Sequence, residues 1–158
     1  MTDIDQPDDL AAAVQDWTAR AQAHERLVAQ LFPANKKAIF AALAAAGVSS
    51  VTVTFDGYGD SGQIESIQAI AAEAPVDLPP DEIAFAVAQC DRTEPESRPA
   101  TVADAIEQLV YDLLARTHGG WELNEGSWGE FVFHVAIETI TLDFQQRYVS
   151  CDSFSHEF

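Results

Sequence analysis

Leu10, Val14, Trp17, Ala21, His24, Val28 and Leu31 follow one another at alternating spacings of four and three. This pattern draws a single stripe down a helix over residues 8–31. Pro7 ahead of it, with Asp8 and Asp9 in the opening turn, suits a helix start: the ring costs no hydrogen bond there and the dipole favours negative charge. The stripe is also the seven-residue pattern of a coiled-coil seam, but packing against a core is the expected use, because only about three heptads are present and Ala21 and His24 weaken a seam. Pro33 is read as the start of a second helix over 34–46, with Ile39, Phe40 and Leu43 inward and Gly47 as its left-handed cap.

From Val51 the period drops to two: Val51, Val53 and Phe55 alternate with Thr52, Thr54 and Asp56, a half-buried strand near 50–56. A turn-rich stretch, Asp56 to Gly62, leads to a second strand near 63–70, where Ile64, Ile67 and Ile70 sit at a helix-like spacing of three. Residues 71–82 read as a loop with three prolines, followed by an alternating run at Ile83, Phe85 and Val87. The polar, proline-bearing stretch 91–100 is the most linker-like. Thr101 with Asp104 forms a helix-capping pair for a helix over 101–117, whose apolar face is Val102, Ile106, Leu109, Val110, Leu113 and Leu114. Gly119 and Gly120 end it. Phe131, Phe133 and Val135, then Ile140, Leu142 and Phe144, form a hairpin near 129–136 and 139–147. The tail, with Tyr148, Phe154 and Phe158, is expected to return onto the sheet. The predicted fold is one α+β domain over 1–158: a helical segment to residue 48, an antiparallel sheet of about four strands with helices on one face, and a tail from 150. Val53, Phe55, Leu109, Leu113, Phe131, Phe133, Leu142 and Phe144 are its expected core.

Composition narrows the function classes. Of 158 residues, 26 are Asp or Glu and 8 are Lys or Arg, a formal charge of −18. Such a field repels phosphate backbones and anionic lipid, so direct binding to nucleic acid or membrane is not expected. No apolar run approaches a membrane span, and the acidic Met1–Asp5 is unlike a secretory leader, so a bacterial-type cytoplasm is the expected address. Cys90 and Cys151 are far apart and form no zinc or disulfide pattern.

Two glycine-and-acid stretches hold the candidate chemistry. Gly57-x-Gly59-x-x-Gly62 has the spacing of a dinucleotide-binding turn, but Asp56 and Asp60 set carboxylates where a pyrophosphate would lie, and the preceding strand is polar on one face. Glycines freeing a tight hairpin account for the spacing better. A divalent cation is the one cofactor the residues admit: Asp56, Asp60 and Glu65 at the first stretch and Glu125 at the second offer hard oxygen ligands, although Tyr58 and Ser61 break the calcium-loop template. His134 and Asp143, on one side of the last hairpin, are candidates for a cross-strand acid–base pair. His118 at a helix C-terminus needs no catalytic explanation.

At Phe55-Asp56-Gly57-Tyr58-Gly59-Asp60-Ser61-Gly62-Gln63-Ile64-Glu65, at His118-Gly119-Gly120-Trp121-Glu122 with Asn124, Glu125, Gly126 and Gly129, and at Thr141-Leu142-Asp143-Phe144, the chain resembles a bacterial and phage family described as a domain of unknown function. The resemblance runs from Val51 to Tyr148. It implies that the two stretches form one shared site, and it carries no reaction. The leading expectation is a protein-interaction domain that presents both stretches, with Asp56, Tyr58, Asp60, Glu65, Trp121, Glu122, Trp128 and Asp143 as contact candidates, since aromatics beside acidic loops suit partner anchoring and no nucleophile–base set is visible. A metal-assisted hydrolase or lyase built on the clustered carboxylates is the second expectation. The third is an acidic decoy of nucleic-acid-binding proteins.

Overall fold

A computed structural model describes residues 7–89 and 94–158. Met1–Asp5 and Cys90, and with them the leader and part of the linker-like stretch, lie outside the described residues. The elements in order are α1 (Pro7–Ala45), β1 (Ser50–Tyr58), β2 (Ser61–Ala71), β3 (Ala74–Val76), β4 (Glu82–Val87), β5 (Glu96–Thr101), α2 (Val102–Thr117), β6 (Ser127–His134) and β7 (Thr139–Gln146). The fold is α+β. An antiparallel sheet runs β3-β2-β1-β6-β7, and β4 and β5 form a separate two-stranded ribbon.

Register explains the core. Across the inner face Ala69, Val51, Phe133 and Ile140 form one row, and Ile67, Val53, Phe131 and Leu142 the next. The C-terminal half of α1 covers this face with Ile39, Phe40 and Leu43, and α2 covers it with Ile106, Leu109, Val110 and Leu114, all buried. Phe40 and Phe133 meet at a ring separation of 5.9 Å. Val53, Phe55, Leu109, Phe131 and Phe133 are buried as expected, whereas Leu113, Leu142 and Phe144 are half-buried at the rim.

Several expectations are corrected. Beside the about four strands expected, the sheet gains a short edge strand, β3, because Ala72 and Glu73 both take positive φ and turn the chain back. The linker-like stretch contains β5, where Pro99 stands opposite Ala84; its missing N–H is tolerated in a strand with only one partner. The spacing of three between Ile64 and Ile67 comes from a bulge. Thr54 pairs with Ser66 but Phe55 with Ile64, so Glu65 is the extra residue and both isoleucines stay on the inner face. The Ile64 N–H beside the bulge donates to Tyr111 Oη at 3.1 Å. The tail from Ser150 stays exposed along its length instead of returning to the sheet.

The largest correction concerns the first helix. Pro33 does not begin a second helix; it lies inside α1, which runs unbroken for 39 residues. Packing on both sides of the proline accounts for this: Val28 and Phe32 on one side and Asn35 and Ile39 on the other contact the same body. Asn35 fixes the passage, its buried amide donating to Ala86 O at 2.8 Å and accepting from Ala86 N at 2.9 Å. Thr101 caps α2 as expected, Oγ1 accepting from Asp104 N at 3.2 Å. No described helix is long and apolar enough to cross a membrane.

Where α1 crosses α2, burial pushes the Asp112 carboxyl above its ordinary value, against the opposing influence of the Gln108 hydrogen bond and of nearby His24 and Arg116. With a raised folded-state value, the contribution of Asp112 to stability is greatest below about pH 4 and declines as pH climbs through the folded-state value. Two outcomes follow. Asp112→Asn should exceed the parent in stability at neutral pH and lose that advantage below about pH 4, as read by denaturant titration across pH. Pro33→Ala, which restores a helix N–H, should raise stability by about 1–3 kcal/mol; two helices meeting at Pro33 would show no such gain.

Candidate functional site

The two glycine-and-acid stretches meet. The β1–β2 hairpin turns through Gly59 and Asp60, both at positive φ, which is the two-residue turn that matches strand twist. Its tip donates backbone N–H groups into the second stretch: Asp60 N to Glu122 O at 3.1 Å and Gly59 N to Asn124 O at 3.4 Å. Gly57 and Gly62 face each other across the hairpin, and the Trp121 ring lies against both. A Cβ at Gly57 would come within 2.7 Å of that ring, and one at Gly62 within 2.4 Å. Gly126, at φ +75°, is as constrained, since a Cβ there would run into the Gly57 carbonyl. These glycines are needed for close approach of chain to ring and chain to chain, which accounts for the nucleotide-like spacing without a phosphate.

Trp121 is therefore a core-closing residue, not a free anchor. It is half-buried and meets Phe55 edge-on at 5.5 Å. Its carbonyl accepts from the buried Ser127 hydroxyl at 2.7 Å. Phe55 also stacks with Phe144 across Gly129 at 6.1 Å, and the His118 ring lies parallel to Phe144 at 3.7 Å. His118 ends α2, its N–H donating to Leu114 O at 2.8 Å. Beside these rings is a cleft of about 360 Å³ lined by His118, Trp121, Glu125, Phe144, Arg147 and Tyr148, among others.

The opposite face of the sheet carries the exposed side chains. Strand alternation places Asp56 and Tyr58 of β1 outward, with Trp128 of β6 directly opposite Asp56. Tyr58 is 66% exposed and Trp128 48%. Arg147, absent from the sequence candidates, binds this corner together. Its guanidinium donates to the two Asp56 carboxylate oxygens at 3.0 and 3.1 Å and to Gly57 O at 3.0 Å, while its own N–H donates to Gly126 O at 3.0 Å. The sequence signal available for it was weak: a lone arginine just beyond β7 in a chain with eight basic residues. Glu130 and Asp143 stand opposite each other in the next row, and Glu65 projects from the bulge.

The expected metal set does not assemble. Asp56 is paired with Arg147, Asp60 sits at the hairpin tip, Glu65 bonds Gln63 Nε2 at 3.2 Å, and Glu125 lines the cleft. Among the described residues no three His, Cys, Asp or Glu side chains are grouped to hold a metal ion. The His134–Asp143 pair is likewise not formed. The register puts Thr139 opposite His134 and Glu130 opposite Asp143, so His134 Nε2 meets Thr141 Oγ1 at 3.2 Å and Asp143 accepts from Gln145 Nε2 at 2.9 Å.

Fold and site together define a small α+β domain whose two glycine-rich turns are fused beneath an open sheet corner. Residues 31–158 match the family of unknown function DUF6878, and the chain belongs to that family. The match begins well before Val51, so the lower part of α1, which packs on the core, is part of the family region. No curated protein and no solved structure matches the chain.

The steric role of the glycines has a direct check. Gly62→Ala should destabilise the chain by about 1–3 kcal/mol, and much of that loss should vanish when Ala is introduced into a Trp121→Ala background. A double-mutant cycle read by denaturant unfolding reports the coupling; additive losses would separate the ring from the hairpin.

Proposed function

We propose that the chain is a protein-interaction domain that uses the outer corner of its sheet to hold a basic segment of a partner protein. The observation that carries this reading is the pair of exposed aromatics beside the Asp56–Arg147 ion pair, Tyr58 two residues along β1 from Asp56 and Trp128 opposite it on β6, on a face that no described helix covers. Rigid aromatics at a polar rim suit anchoring, since they bring large contact area with little loss of conformational freedom. The surrounding carboxylates of Glu130, Asp143 and Glu65, in a chain of charge −18, favour a cationic partner, and the Trp128 ring face suits an arginine or lysine placed over it.

The ion pair at the centre serves positioning more than affinity. Both side chains are partly open to solvent, where such a pair contributes about 0–1 kcal/mol. Its value lies in geometry: Arg147 fastens the chain after β7 to the β1 backbone and keeps Trp128 between them. Asp60 and Glu122 contribute through the backbone contact that fuses the turns, and the adjoining cleft offers room for a partner side chain.

Calorimetric titration with an arginine-rich peptide tests the reading. Binding that weakens with salt, and weakens at least about tenfold in Trp128→Ala and in Tyr58→Ala, is the expected result. Equal affinity in parent and variants, or no binding of basic peptides or proteins, would remove it.

A further inference from the structure

The amino-terminal third of α1 has no partner among the described residues of its own chain. From Ala21 onward the stripe turns onto the body: His24, Val28 and Leu31 line the junction with β4 and α2, and Arg116 of α2 lies over the Phe32 ring at 5.1 Å. Before Ala21 every residue whose surroundings are described is exposed, and Leu10, Val14 and Trp17 are 60%, 57% and 71% exposed. The helix thus projects about 20 Å beyond the body with its apolar stripe uncovered. This projecting part also precedes the residues that match the family.

We infer that this stripe is a self-association seam occupied by the same helix of a second copy of the chain. Its period is the first argument. Leu10, Val14, Trp17 and Ala21 keep the alternating steps of four and three of a packing stripe, and the same steps continue through His24, Val28 and Leu31, where α1 is covered, so the uncovered stretch is the same kind of packing face. Charge placement is the second. In a chain of −18, two copies approach only through a surface free of acid, and here the seam and its flanks provide one. Taking Val14 as position a and Trp17 as position d, the flanking e and g positions of the projecting part hold Ala11, Ala13, Thr18 and Arg20. The acidic Asp8, Asp9 and Asp16 all fall at b and c. Arg20, the one charge on the flanks, is paired with Asp16 of its own helix at 3.0 Å, with both side chains largely exposed. Small alanines at the flanks let two backbones come close.

Own-chain packing also sets the direction. Because the stripe below Ala21 is covered by α2 and β4, two copies running the same way would bring both bodies into the same space. Antiparallel helices place each body beyond the other's amino terminus, with Leu10 near Ala21 of the partner and the two Trp17 and Val14 layers between.

Sedimentation equilibrium of the full chain, from low micromolar to submillimolar concentration, tests the inference. The expected result is a monomer–dimer equilibrium about the 17.2 kDa monomer mass. Trp17→Glu and, separately, Val14→Glu should weaken the dimer at least roughly tenfold while leaving thermal unfolding of the monomer unchanged, since both side chains are exposed within the chain. A monomer at every concentration would overturn the inference, and so would a dimer of the same strength in both variants. Neither result bears on the Trp128 corner.

Discussion

The ring of Trp121 lying on the glycine pair Gly57 and Gly62 is the contact on which the arrangement of the site depends. On the inner side it closes the end of the core against Phe55. Through the chain that carries it, it brings the carbonyls of Glu122 and Asn124 under the hairpin tip. With the hairpin held in this way, Tyr58 and Asp56 are fixed on the outer face, Trp128 falls opposite Asp56, and Arg147 reaches both strands. One aromatic side chain inside the molecule thus sets the position of two outside it.

The same contact explains why acidic and glycine residues are interleaved. Glycine is required wherever ring or backbone approaches the strand, at Gly57, Gly62 and Gly126, and polar side chains are left for the positions pointing to water. Motif spacing that suggests a nucleotide turn arises here from strand alternation: an inner-face glycine, an outer-face tyrosine, a two-residue turn, and a second inner-face glycine. The carboxylates face outward and apart, which suits a diffuse acidic surface better than a tight ligand set.

Much of the fold was legible because the decisive signals are local. The alternation in β1, the last hairpin and the Thr101 cap depend on neighbours in sequence. What escaped depends on tertiary contact. Pro33 stays helical because residues on both sides of it are held to one body. The Glu65 bulge makes a strand look helical, and Ala72 and Glu73 turn the chain without glycine. For the site, the two stretches could be picked out by their shared composition and by the family resemblance, but their contact rests on backbone bonds between residues some sixty apart, which no local pattern carries. Trp121 was read as a partner contact because sequence does not tell which face of a turn a ring will take, and Arg147 was missed because its partners Asp56 and Gly57 are about ninety residues away.

The fusion of the two turns is the central claim, and amide hydrogen exchange at Asp60 and Gly59 tests it most directly. Both N–H groups lie at a hairpin tip, where an unattached turn would exchange at the rate of exposed chain. Bonding to the Glu122 and Asn124 carbonyls predicts marked protection of Asp60, lesser protection of Gly59, and loss of both in Trp121→Ala. Unprotected exchange at Asp60 in the parent chain would contradict the account.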